Sequence, residues 1–359
     1  MLTFQEKKDS NLPFYNEFFL ELISNNYSDK TVANYQRDLE AFEAFLKDEE
    51  KIFKEINKLD ISRYKDYLRS GKYLLAIKKL RKITLTSENA RDTSDSRKSS
   101  PSASRKHSMY NGRLSSYSTN RMLSALRTYF KFLNEIDFKL PIIPDSIKLV
   151  KTEKKLGHVA ELEELTSLIE APNVYETKPL VILRNRAMLE VLFATGMRIS
   201  ELINLNREDL KLDSTGQSIT DHKIYIIGKG KKERFVYLTE RAKQHLQSYL
   251  ATRSDAYPAL FIPYRGLRSG SHDPYIVRIA TNYLQAKIKQ YRLLLGINLP
   301  TSAHSLRHGF ATYLAEKGAN PVAIQKLLGH ESLTTTSKYV HASDKYAEKS
   351  HQKYHPLGD

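Results

Sequence analysis

Apolar side chains recur at steps of three and four residues through most of this chain, a spacing that predicts a mainly helical protein. The pattern is plainest at 28–48, where Ser28 and Thr31 offer start signals and Val32, Tyr35, Leu39, Phe42 and Leu46 line one face. It returns at 60–68 with Ile61, Tyr64 and Leu68, and at 118–133 with Met122, Leu126, Tyr129 and Leu133. With a further helix near 13–25, the first part of the chain reads as a small helical bundle whose exposed faces carry Lys65, Arg69, Arg121 and Arg127.

Further on, helices are expected near 161–170 and 179–195, after which the period changes. HKIYIIG at 222–228 and ERFVYL at 233–238 alternate on either side of a Gly-Lys-rich turn, which predicts a β-hairpin with a cationic tip. Helical spacing resumes near 239–253, 275–295, 304–317, 320–328 and 332–340, and ALFIP at 259–263 is a strand candidate. Two stretches fit neither period. ENARDTSDSRKSSPSASRKHS at 88–108 is rich in Ser and basic residues and has no large apolar side chain, so an insertion spanning about 86–116 is expected to stay disordered. PIIPDSIKLVKTEKKLGH at 141–158 combines prolines with charge, as interdomain linkers do. The expected organisation is a helical domain at 1–140, a linker at 141–158 and an α-rich second domain at 159–359 with a small antiparallel sheet.

Charge narrows the function. The 359 residues hold 57 Lys and Arg against 41 Asp and Glu, a formal +16 that no single tail accounts for, and this points to a polyanionic partner such as nucleic acid. The absence of cysteine excludes a disulfide framework, a thiolate zinc site and a cysteine nucleophile. No apolar run approaches the roughly 20 residues that span a bilayer, and the first ten residues lack the layout of a signal peptide, so a cytoplasmic protein without a membrane partner is expected. GKGKKER at 228–234 has no Ser or Thr after its lysines and is no P-loop; neither nucleotide energy nor any other cofactor is expected.

Two strings, HSLRH at 304–308 and LGHESLTTTSKY at 328–339, supply arginine-adjacent histidines, a third histidine and a tyrosine. Cleaving a phosphodiester without a metal requires other cations to neutralise the transition state, and the planar fork of arginine does this best. ATGMRISEL at 194–202 offers Arg198 just after a glycine, with Glu201 one turn on to hold its guanidinium, and HSLRH offers Arg307. His304 lies three residues before Arg307 and so shares its helical face. Taken singly, each arginine is more often a surface ion pair. His308 suits a core position, and the pair His304 and His308 lacks both the Glu of H-E-x-x-H and a third ligand, which argues against a metal. Lys229, at the predicted hairpin turn, could protonate a departing oxygen, with Lys231 and Lys232 as rivals for contact with DNA. Tyr339 follows His330 by nine residues across a cap-rich SLTTT; its phenol, ordinarily near pKa 10, would need neighbouring cations to act as a nucleophile.

In order and spacing, TGMRISEL, GKGKKER, HSLRH, LLGHESLTTTSKYVH and the terminal HQKYHP resemble the tyrosine recombinase (phage integrase) family, in particular its Xer-type, chromosome-resolving branch. The likeness covers the second domain almost continuously and the first more loosely. It implies a SAM-like helical core-binding domain followed by a catalytic domain of the DNA breaking-rejoining fold. It also implies that Arg198, Lys229, His304, Arg307 and His330 are catalytic, that Tyr339 is the nucleophile forming a 3′-phosphotyrosyl link, and that Glu201 supports the site. Arg121, Arg127, Lys231 and Lys232 would touch DNA. The partners implied are double-stranded DNA, a homo- or hetero-tetramer on two DNA sites, and a DNA translocase, with the tail 342–359 docking on a neighbouring protomer. The insertion departs from the family pattern and bears on the first domain's DNA contacts more than on the chemistry. Resolution of chromosome or plasmid dimers is the leading expectation, since no arm-binding domain precedes residue 13. A mobile-element integrase, a type IB topoisomerase and a non-catalytic DNA-binding protein are the alternatives.

Overall fold

Two units make up the chain, Met1–Lys155 and Leu156–Asp359. The computed structural model describes residues 7, 10–73, 114–152, 160–216, 218–228, 233–264, 277–329 and 351. Among them are eleven α-helices and one two-stranded sheet. The insertion, the expected helix at 332–340 and the tail lie outside the described residues, apart from 114–116 and His351.

The first unit is built from α1 (Tyr15–Ser24), α2 (Asp29–Asp48), α3 (Lys58–Ser70) and α4 (Ser116–Glu135). Ser28 caps α2 by accepting the Thr31 N–H, and Asn57 and Asp60 cap α3 reciprocally. Gly71, at φ 80°, closes α3 in the left-handed conformation that a side chain would resist. The apolar stripes anticipated from the sequence meet in an aromatic core, where Phe18 stands edge-on to Tyr129 at 5.2 Å and Phe42 to Tyr64 at 5.0 Å.

Three carboxylates are buried in this bundle, Asp38, Glu43 and Asp60. Asp38 is 3% exposed and pairs with Arg121, whose side chain stays 51% exposed. Its Oδ1, the Tyr64 hydroxyl and the Thr119 hydroxyl are buried without partners. Burial therefore outweighs the bonded Arg121 guanidinium and the charge of Arg37, and the Asp38 carboxyl is pushed up from 3.8 to about 6. Arg127 on α4 is likewise engaged, donating to the Ile147 carbonyl.

The second unit is organised around α6 (Pro179–Thr195), which packs against α5 (Leu162–Tyr175), α8 (Glu240–Leu250) and α10 (Ala303–Glu316). An unbroken buried run from Arg184 to Leu192 marks it as the central helix, surrounded rather than amphipathic. The remaining helices are α7 (Ile199–Asn204), α9 (Thr281–Leu294) and α11 (Pro321–Leu328). Strands β1 (Lys223–Ile227) and β2 (Glu233–Tyr237) pair antiparallel, with Ile224 opposite Val236 and Ile226 opposite Arg234 on the inward face.

Two expectations need correction. ALFIP at 259–263 is not a strand: Ala259 forms an isolated bridge to Asn206, Leu260 donates to the Leu205 carbonyl, and the run fills the core with no strand alongside to extend the ladder. Helix α9 begins at Thr281 rather than near 275, because Val277 and Ile279 enter the interior as alternating residues of an extended segment.

Candidate active site

Helix α6 stops at Gly196, whose φ of 61° is left-handed and whose N–H closes onto the Leu192 carbonyl at 3.1 Å. A Cβ at this position would lie 2.3 Å from the Phe310 ring, so conformation and close approach both require glycine. Two residues later Arg198 stands at the N-cap of α7, where Glu201 receives its backbone N–H at 2.7 Å. An arginine has no acceptor to offer a helix start, so its side chain is available elsewhere. It turns to Glu201 as well, Nη1 to Oε1 at 2.9 Å, and remains 35% exposed.

Glu201 also takes both arms of a second guanidinium. Arg234 reaches it from the inward face of β2, with Nη1 to Oε1 at 3.0 Å and Nη2 to Oε2 at 2.7 Å, and both side chains are more than 90% buried. Burial alone would raise the Glu201 pKa. The Arg234 hydrogen bonds, the Arg198 N–H, the charge of Arg234 and the Arg198 side-chain hydrogen bond prevail, and its carboxyl is held below the usual range.

Helix α10 contributes the remaining cations. Ser302 caps it by accepting the Ser305 N–H, which fixes His304 and Arg307 on the first two turns. Arg307 is 3% exposed and donates to the Gly196 carbonyl at 2.9 Å and to the Leu328 carbonyl at 2.6 Å. His304 stands at the surface above it. Partial burial and then the fields of Arg307 and Arg198 lower its pKa, which favours the neutral imidazole, a form that donates one hydrogen bond. His308, half-buried, bonds Thr312 on its own helix at 3.2 Å.

These parts meet at the end of α11. The last carbonyls of a helix have no partner within it, and here three in succession are taken by three arginines: Leu327 by Arg234 Nε at 2.9 Å, Leu328 by Arg307, and Gly329 by Arg198 Nη2 at a longer 3.4 Å. Gly329, at φ 64°, forms the left-handed cap, and a Cβ on it would come within 2.9 Å of Arg234 Nη1. Two buried arginines and a part-exposed one thus surround one helix terminus, with His304 in the field of Arg307 and Arg198. Such a set can bind a phosphate and stabilise additional negative charge on it.

Of the residues singled out by sequence, the structure brings together Arg198, Glu201, His304 and Arg307. Lys229, Lys231, Lys232, His330 and Tyr339 lie outside the described residues. Arg121 and Arg127 both have partners within the first unit. Among the described residues no group of three or more His, Asp and Glu side chains could hold a metal ion, and no helix is long and apolar enough to cross a membrane. Arg234 was missed. Its signal was present in ERFVYL, where alternation assigns positions 234, 236 and 238 to one face and puts a charge in the company of Val and Leu.

Comparison with known proteins finds matches to both parts of the chain. Residues 159–346 match the phage integrase family, and residues 15–84 match the phage integrase N-terminal SAM-like domain. Tyrosine recombinase XerC of Pediococcus pentosaceus is 30% identical over 338 residues, covering 93% of this chain and 94% of the relative. Tyrosine recombinase XerD of Staphylococcus epidermidis is 33% identical over 248 residues, covering 67% and 77%. Among solved structures, the XerH site-specific recombinase bound to its difH substrate in a pre-cleavage complex aligns with a TM-score of 0.61 at 20% identity, over 96% of this chain and 84% of that one.

Proposed function

This chain belongs to the phage integrase family, and from that premise we propose that it is a site-specific tyrosine recombinase that cuts and rejoins duplex DNA through Tyr339. The observation that carries the reading is the convergence of Arg198 and Arg307 on the end of α11, with His304 in the field of both. A phosphate placed there would meet two guanidinium forks and an imidazole N–H, the donors that a pentavalent phosphorane requires.

In the proposed reaction the Tyr339 phenol gives up its proton to solvent, its oxygen bonds to phosphorus and the bond from phosphorus to the 5′-oxygen breaks. Lys229 gives that leaving oxygen a proton, generating a free 5′-hydroxyl and a 3′-phosphotyrosyl link. Arg198, Arg307, His304 and His330 stabilise the phosphorane, and Glu201 orients Arg198. The covalent link conserves the energy of the phosphodiester, so the 5′-hydroxyl of a partner duplex can attack it without ATP. Lys231 and Lys232 contact DNA in this reading. Arg121 and Arg127 would do so only beyond the partners they already hold.

The partner is double-stranded DNA, in keeping with a charge of +16 and with the bound substrate of the XerH neighbour. Relatives named XerC and XerD favour resolution of chromosome or plasmid dimers over integration of a mobile element. A tetramer on two sites, of one or two kinds of protomer, cytoplasmic location and activation by a DNA translocase complete the proposal.

The test is covalent capture. Nicked suicide duplexes drawn from a randomised library should become linked to the wild-type chain and reveal its site, whereas Tyr339→Phe should retain duplex binding and form no adduct. An adduct undiminished in Tyr339→Phe would exclude this nucleophile. Relaxation of a supercoiled plasmid carrying no captured site would favour a topoisomerase instead.

A further inference from the structure

The inward face of β2 contains a residue that folding alone does not call for. Arg234 sits opposite Ile226 and two residues from Val236, where a medium apolar side chain would pack without the penalty of burying a charge. Removing a guanidinium from water and sealing it at 8% exposure against a carboxylate at 5% is a weak way to stabilise a protein, since well-packed apolar replacements of such pairs are often neutral or better. The arrangement does something an apolar residue cannot, which is to fix the plane of a carboxylate.

We infer that Arg234 is a positioning residue for strand cleavage, acting through Glu201 to fix Arg198 against the end of α11. Three bonds define its place: Nε to the Leu327 carbonyl at 2.9 Å, and the side-by-side pair Nη1 to Glu201 Oε1 at 3.0 Å and Nη2 to Oε2 at 2.7 Å. Glu201 Oε1 is shared, because Arg198 Nη1 bonds the same oxygen at 2.9 Å. Any rotation of the carboxylate therefore moves Arg198, and the fork of Arg234 opposes that rotation together with the Arg198 N–H on Oε2. Its third bond references the carboxylate to the helix end that Arg307 and Arg198 also hold. The absence of a side chain at Gly329 belongs to the same device, since a Cβ there would lie 2.9 Å from Nη1 and 3.1 Å from the guanidinium carbon. A lysine could keep the charge but could not make parallel bonds to both oxygens while holding Leu327.

This inference rests on the recombinase reading, and the experiment separates the two. The probe is the nicked suicide duplex captured by the wild-type chain. The readouts are the single-turnover rate of adduct formation, equilibrium binding of the intact duplex, and thermal midpoint. Arg234→Lys is expected to slow adduct formation by about 10- to 100-fold, the scale of a small misplacement of a catalytic group, with duplex binding unchanged. In an Arg198→Lys background, the same substitution is expected to slow the rate no further, because its effect passes through Arg198. A merely structural role would lower the rate equally in both backgrounds. Arg234→Met leaves Glu201 less neutralised and is expected to lose adduct formation at least as severely; if that chain unfolds, Arg234→Lys decides.

Wild-type cleavage rates in Arg234→Lys, equal losses in the two backgrounds, or an Arg234→Lys chain that unfolds would each overturn the inference while leaving the recombinase reading intact. No adduct with the wild-type chain would overturn both.

Discussion

Each unit buries a carboxylate beside arginine, and the two behave in opposite ways. Asp38 in the helical bundle has one guanidinium, half in solvent, and an Oδ1 with no partner, and its pKa rises to about 6. Glu201 in the second unit has two guanidinium groups and a backbone N–H, and its pKa falls. Burial is similar, so the number and geometry of donors decide the sign. A carboxylate that serves as an anchor has to remain ionised, and only the second site supplies the donors to keep it so.

The largest effect that should separate the two sites is truncation. Glu201→Ala strands two guanidinium groups, one of them deeply buried, and is expected to cost about 3–5 kcal/mol in urea denaturation and to remove adduct formation. Asp38→Ala should fall within about 1 kcal/mol of wild type at pH 7, because Arg121 can return its guanidinium to water and a poorly paired charge is relieved. Equal costs at the two positions would break the comparison.

Next in size is pH. Asp38 binds its proton more tightly folded than unfolded, so its contribution to stability is fully present below 3.8 and is lost as pH rises through about 6. Two pKa units correspond to about 2–3 kcal/mol, and the stability of wild type relative to Asp38→Asn should decline by that order across the interval. Glu201 has the opposite sign. Its contribution is present above 4.5 and is lost as pH falls through its lowered folded pKa, so wild type should gain on Glu201→Gln as pH rises from acid. Thermal melts of the three chains would show slopes of opposite sign in different windows, the Asp38 difference falling between 3.8 and about 6 and the Glu201 difference rising below 4.5; slopes of the same sign would contradict the donor count.

The smallest expected effect is that of Arg121→Lys. A single half-exposed partner needs only a point charge, so the change should remain under about 1 kcal/mol. If it matched the loss from Arg234→Lys, the geometry of the fork would not matter.

Periodicity made most of the helices legible because each depends on residues three and four apart, which a reader of one sequence can see. ALFIP at 259–263 was not legible in the same way, since strand identity depends on a neighbour and Ala259 found only the bridge at Asn206. Arg198, Glu201, His304 and Arg307 were readable because each pair lies within one helical turn. Arg234 was hidden by distance: it is 33 residues from Glu201 and 93 from Leu327. The engagement of Arg121 with Asp38, 83 residues away, was invisible for the same reason.

The terminus of α11 has a consequence beyond geometry. Guanidinium groups gathered in one small volume repel one another, and a site that assembled them only when DNA arrived would have to overcome that repulsion at the moment of encounter. The carbonyls of Leu327, Leu328 and Gly329, each already bonded to an arginine, act as a built-in counterion that is present before any phosphate. An incoming phosphate then finds the guanidinium groups already gathered, because folding has done the work of bringing them together.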